Sequence, residues 1–252
     1  MPRQMISFVI RFFMIFTVTV YALHGIGRTS AHAFTSSCIQ CHAKMTGRLG
    51  EPVHKWKTGI HASKGVSCHT CHGGDPNATG TAMSITSGFN GAPFKIFINT
   101  FCGRCHERTL QDYLTSAHGR TRDDGGATCV SCHGSHQIDR ATMDLINEHT
   151  CSQCHPLERV QPFKNQLQIT HDRIRDIQDR MTAVKIQGKD TSELVQRLKA
   201  SKAKSRRLAH MPGSEHLTIY QKEFDRELDE IEKKLNYFEA ARQERILKEL
   251  LN

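Results

Sequence analysis

Ordinary core material is in short supply along most of this 252-residue chain, and no cysteine stands outside a single repeated pattern. From Ala33 to about Lys164 periodic apolar stretches are few, which excludes a conventional side-chain core there. Aromatics are sparse, with one tryptophan and four tyrosines, and none is interleaved with basic residues as on nucleic-acid platforms. The formal charge of +9 and the pI near 9.1 therefore do not signal a nucleic-acid partner. With no cysteine left over and one spacing used throughout, a disulfide framework is excluded as well.

What is present is a Cys-x-x-Cys-His pentad in five copies: Cys38/Cys41/His42, Cys68/Cys71/His72, Cys102/Cys105/His106, Cys129/Cys132/His133 and Cys151/Cys154/His155. This is the attachment sequence of c-type haem, in which two thiols add across the porphyrin vinyl groups and the next histidine ligates iron. Histidine is 16 of 252 residues, so five Cys-x-x-Cys pairs would all be followed by it about one time in a million by chance. A zinc site would need four ligands per metal and no fixed histidine after each pair. The expected cofactors are five covalently bound haem c groups.

The first 33 residues read as an export signal. Arg3 and Arg11 flank or interrupt the apolar stretch Phe12 to Leu23, and Ala31-His32-Ala33 offers a cleavage pattern. Cleavage is favoured over an uncleaved membrane anchor from about Met5 to Leu23, which would carry Arg11 inside it. Both place the cysteines outside the cytoplasm, and with the haem motif they indicate the periplasm. Losing Arg3, Arg11 and Arg28 and no acid lowers the charge from +9 to +6, and the haem propionates offset more of it.

Three parts follow: residues 1–33 as signal or anchor, 34–164 as a pentahaem domain, and 165–252 as a helical region. The fold class expected is mostly α with much irregular chain, a haem-packed domain leading into long C-terminal helices. About 130 residues for five porphyrins leaves roughly 26 per haem, too few for a separate core around each. The haems are expected to be the core, and this region is not expected to fold without them. Past Pro162, helical spacing begins. One helix is predicted from about Asn165 to Ile186 and a second from an Asp190 cap, with Glu193 completing a capping box, to about His210. The third begins near Ser214. Its stripe of Leu217, Tyr220, Phe224, Leu228, Ile231, Leu235 and Phe238 suits either packing within the chain or a homo-oligomer seam. The run Lys199, Lys202, Lys204, Arg206 and Arg207 reads as a solvated face that could dock an acidic redox partner.

Iron held by protein on both sides moves electrons, whereas iron with an open side can bind and reduce a small molecule. Beyond the pentads and the export segment, nine histidines remain for five distal positions. A weak internal repeat singles out two. Gly59-Ile60-His61 lies between the first two pentads as Ser116-Ala117-His118 lies between the third and fourth, and Cys-His-Gly closes both halves. His136, three residues after His133, suits a neighbouring haem, and His171 sits on the first long helix. For the fifth place His54 and His149 compete, with His210 and His216 at a helix break behind them. His69 is expected to face solvent, and Met45 is a rival ligand for the first haem. Mostly bis-imidazole ligation implies low potentials.

The runs Trp56-x-x-x-x-His61-x-x-x-Gly65-Val66-x-Cys68-x-x-Cys71-His72-Gly73-Gly74-Asp75-Pro76 and Tyr113-Leu114-x-Ser116-x-His118-Gly119, the latter leading to Cys129-Val130-Ser131-Cys132-His133-Gly134-x-His136, resemble periplasmic multihaem cytochromes. That superfamily includes small tetrahaem carriers, cytochrome c nitrite reductase, hydroxylamine oxidoreductase and membrane-bound quinol dehydrogenases. The resemblance covers about residues 38–171. It implies a periplasmic electron carrier between a quinol-linked membrane donor and a terminal reductase or extracellular acceptor. A multihaem enzyme with one open-faced haem, acting on nitrite or hydroxylamine, and a membrane-anchored quinol dehydrogenase subunit are the alternatives. Enzymatic membership lacks support, since the chain has no Cys-x-x-Cys-Lys variant and few tyrosines, Tyr21, Tyr113, Tyr220 and Tyr237.

Overall fold

A computed structural model describes residues 36–251. The expected export segment lies outside the described residues. Among those described the chain is helix and loop with no strand. Among the described residues nine short α-helices lead: α1 (Ser37–His42), α2 (Gly47–Thr58), α3 (Ile60–Ser63), α4 (Cys68–His72), α5 (Ile98–Gly103), α6 (Glu107–Thr115), α7 (Ala117–Arg120), α8 (Cys129–His133) and α9 (Glu148–Cys151). Three long ones follow: α10 (Leu157–Ile186), α11 (Ser192–Leu208) and α12 (Leu217–Leu251).

The internal repeat is a structural one. In each half a longer helix ends at a residue in extended conformation, Gly59 (ψ 163°) or Ser116 (ψ 165°), and a one-turn helix follows at once. These are α2 with α3 and α6 with α7. The next pentad then forms its own helix, α4 or α8, each opened by a reciprocal capping box, Ser67 with Thr70 and Thr128 with Ser131. Each closes on a glycine at positive φ, Gly73 or Gly134. At Gly73 close approach forbids a side chain too, because a Cβ would stand 2.0 Å from the Gly88 carbonyl oxygen.

Burial divides the chain in two. Among the described residues ahead of α10 only Val53 and Ala82 are buried apolar residues, while the others lie from Leu167 onward. In α10 the buried positions Leu167, Thr170, Ile174, Ile177, Met181 and Val184 alternate by three and four, the spacing of a bundle seam. They pack against Leu194, Leu198 and Leu208 of α11 and Phe224, Leu228, Ile231 and Leu235 of α12. Arg173 reaches Glu232 while Arg180 reaches Glu239, so α10 and α12 run parallel. Arg197 pairs with Glu230 and Lys204 with Glu227, so α11 runs antiparallel to them.

Several expectations change here. The first long helix starts at Leu157, directly after the fifth pentad, and carries Pro162 inside it. That proline forfeits one bond near the N-terminus without ending a 30-residue helix. The predicted capping box at Asp190 does not form. Thr191 is the cap residue, and the Asp190 carboxylate instead accepts from the Ser192 N–H at 2.9 Å. The α12 stripe is filled by α10 and α11 of the same chain. The basic run is partly turned inward, with Lys204 on Glu227 and Arg207 on Asp112. His69 is half-buried.

Candidate haem-binding site

Three pentads, those beginning at Cys38, Cys68 and Cys129, lie wholly on the single turns α1, α4 and α8, which put both cysteines and the histidine on one short scaffold. In the other two the first cysteine ends or nearly ends a helix, α5 or α9, and the histidine follows in the next turn. Two of the proximal rings are oriented by backbone carbonyls further along the chain. The Nδ1 of His42 lies 2.9 Å from the Leu49 carbonyl and that of His72 lies 2.8 Å from Gly91 O. With Nδ1 engaged as donor, Nε2 is left for a metal.

The protein chain leaves Cys41, Cys105, Cys132 and Cys154 exposed. Only the first cysteine of each pentad, together with Cys71, is half-buried. The reason lies in the surrounding chain: a region with two buried apolar side chains has no protein core to fold over the second thiol of a turn. None of the ten is paired in a disulfide, so every thiol is available for a thioether. Among the described residues no three histidine, cysteine or acidic side chains gather as a protein-only metal site would require. Ligands here come in twos.

Successive pentads touch in chain order. Ser37 N–H donates to Pro76 O at 2.7 Å, joining the first to the loop after the second. Arg104 Nη2 donates to Cys71 O at 2.7 Å, joining second and third. Asn99 Oδ1 accepts from Cys129 N–H at 2.9 Å, joining third and fourth. The helices of the fourth and fifth pentads, α8 and α9, lie against one another.

The histidines pair across this chain of pentads. The ring of His61 stands 6.1 Å from His106, His136 stands 6.2 Å from His72, His118 stands 5.9 Å from His155, and His210 stands 6.1 Å from His133. All four pairs are within 30° of parallel. A ring nitrogen sits about 2 Å from a first-row metal and about 1 Å from its ring centre, so imidazoles on opposite sides of one iron stand about 6 Å apart. The residues present therefore fit bis-imidazole haem. Burial first, and the facing imidazole second, hold His61, His118, His133 and His136 below the ordinary histidine range. The neutral ring this favours is the form that ligates metal.

Of the expected distal residues, then, His61, His118 and His136 are each brought to a proximal ring, and His171 and His54 are not. His171 is exposed on α10, one position off the buried stripe, with Nδ1 3.8 Å from Asp172. His54 is exposed on α2, and His149 and His216 are exposed as well. His210 takes the place expected of His171. No histidine ring among the described residues stands opposite His42.

Two tethers hold His61 and His118 in register. Trp56 Nε1 donates to Val66 O at 2.8 Å, and Tyr113 Oη donates to Ala127 O at 2.7 Å. Each aromatic lies five residues before its distal histidine, and each carbonyl two residues before the next cysteine. The shared offset was visible in the sequence repeat, and only the hydrogen bonds give it meaning.

A family model for cytochrome c3 matches residues 60–156, and one for cytochrome c554 and c-prime matches residues 22–73. Among curated proteins the chain is similar to the C-type polyheme cytochrome OmcB from two strains of Geobacter sulfurreducens, at 26% identity over 152 residues. The match takes in 48% of this chain and 19% of that protein, so the chain spans about a fifth of the length of the curated relatives it matches. No solved structure matches. Together with the repeated pentads, these similarities support a multihaem c-type cytochrome, and the matched families are ones that carry covalently bound haem c.

Proposed function

We propose that this protein is a periplasmic pentahaem electron carrier, passing single electrons between a quinol-linked membrane donor and a terminal reductase or extracellular acceptor. The observation that carries the proposal is the set of four imidazole pairs about 6 Å apart. Haem bound there supplies reversible one-electron chemistry at iron. The chain's residues close both axial positions, keep the ligating rings neutral and hold successive attachment sites in contact. The test is the purified holoprotein. Five haems per chain and at least four low-spin, six-coordinate haems in the oxidised state support it. A majority of high-spin haems, or fewer than five haems on a full-length chain, overturns it.

One specific observation favours a second reading, an enzyme with one open-faced haem: His42 meets no histidine ring among the described residues. In that case cyanide or nitric oxide shifts the spectrum of a single haem, and nitrite or hydroxylamine is turned over. Unchanged spectra at high cyanide assign all five haems to electron transfer.

A further inference from the structure

We infer that the turn between α11 and α12 belongs to the haem-binding machinery, and that the Asp112–Arg207 ion pair is a positioning device setting the distal imidazoles of the fourth and fifth haems together. The inference rests on the reading of His118 and His210 as axial ligands.

The two residues are 95 positions apart, yet Arg207 Nε and Nη2 lie 2.9 and 2.8 Å from the two Asp112 carboxylate oxygens. The carboxylate is almost fully buried, 5% exposed on its side chain. A buried carboxylate with one guanidinium fork in reach selects a single geometry, because both oxygens are matched at once. Arg207 is in turn fixed to the bundle, its guanidinium lying 4.4 Å from the centre of the Tyr220 ring. Three residues on, His210 points at His133, with its Nδ1 held 2.9 Å from Arg206 O.

The same dock holds the other ligand. Ala117 N–H donates to Pro212 O at 2.9 Å and Arg120 Nη2 donates to Gly213 O at 2.9 Å. Ala117 opens α7, and the next residue is His118, which faces His155. The crossing is tight at Gly213, where a Cβ would stand 3.1 Å from the Ala117 Cβ and φ is +67°. One polar contact thus sits between two distal rings that belong to different haems, and the helical region reaches both.

The experiment compares full-length holoprotein carrying R207A, D112N or H210G with wild type. Haem content by pyridine haemochrome and helical circular dichroism establish that each variant is assembled. R207A is expected to convert two low-spin haems to high-spin in the oxidised spectrum, with added imidazole restoring both, and H210G to convert one. D112N keeps the side-chain shape while removing the charge, so it gives the same two-haem readout should R207A not assemble. If H210G loses one low-spin haem while R207A and D112N lose none, the positioning role is overturned and the ligation stands. If H210G leaves the low-spin count unchanged, the ligation itself is wrong and the positioning role falls with it.

Discussion

Tyr113 and Trp56 do the same job with different strengths. Tyr113 donates to Ala127 O and accepts from Asn99 Nδ2 at 3.0 Å, so its hydroxyl joins the His118 arm to the helices of both the third and fourth pentads. Tyr113→Phe leaves the half-buried Ala127 carbonyl and the buried Asn99 amide without that partner, at a cost of about 1–3 kcal/mol. Trp56→Phe removes a single bond, with an expected loss nearer 1 kcal/mol. Denaturant unfolding followed in the Soret band checks the order, and equal losses would mean the Asn99 link carries nothing. His118 offers a sharper probe. A methionine there should raise the potential of one haem by on the order of 0.1 V, since axial-ligand identity sets haem potentials. Potentiometric titration reads this as one shifted component and the others unmoved. How much of the site was legible follows from these residues. His61 and His118 were readable because a repeat put them at matching offsets between attachment sites. His210 was not, since it lies 77 positions beyond His133 and reaches it only through a turn docked by Arg207. His171 looked apt because it sits on a rigid helix. The register of α10, fixed by its buried stripe, turns that position outward.

At the scale of elements, the long helices were legible because heptad spacing is a local signal that needs no cofactor. Their ends were less so. Pro162 reads as a boundary in sequence, yet α10 runs through it from Leu157, and the fifth pentad thereby feeds straight into the bundle. The bundle's polar edge gives a pH prediction with a definite sign. Hydrogen bonding to Arg180 holds the Glu239 carboxyl below the ordinary glutamate range. A group whose folded value is depressed contributes stability that is present above its unfolded pKa, and this is lost as pH falls through the folded value. The pair is partly exposed, so the effect is small and screened by salt. Thermal melts of the holoprotein should fall modestly from neutral pH to below about 4, and R180A should flatten that fall. A melting profile identical in R180A and wild type would remove the pair from the account. The short helices carry a different message. α4 and α8 are single turns with capping boxes at one end and left-handed glycines at the other, so they are set by local chemistry alone.

For the whole molecule, the division of buried apolar residues means that two parts of one chain are stabilised differently. Between residues 36 and 156 only Val53 and Ala82 are buried apolar side chains, too little to offset the entropy of ordering that much backbone. The bundle has its own core, with Ile177, Leu228, Ile231 and Leu235 fully buried. The covalent cofactors are therefore expected to supply most of the apolar surface that the first part packs on. Chain produced without haem attachment should keep the helical signal of residues 157–251 while the preceding region is cut rapidly by protease. Limited proteolysis with mass spectrometry reads the boundary, which should fall near the start of α10. The dock between Asp112 and Arg207 modifies this expectation in one respect, because it joins the bundle to α6 and α7 by side chains and backbone alone. Its loss in the haem-free chain should show as rapid cleavage on both sides of Asp112. Protection of residues 107–120 without haem would mean that the bundle templates the haem region and that attachment completes a fold already begun.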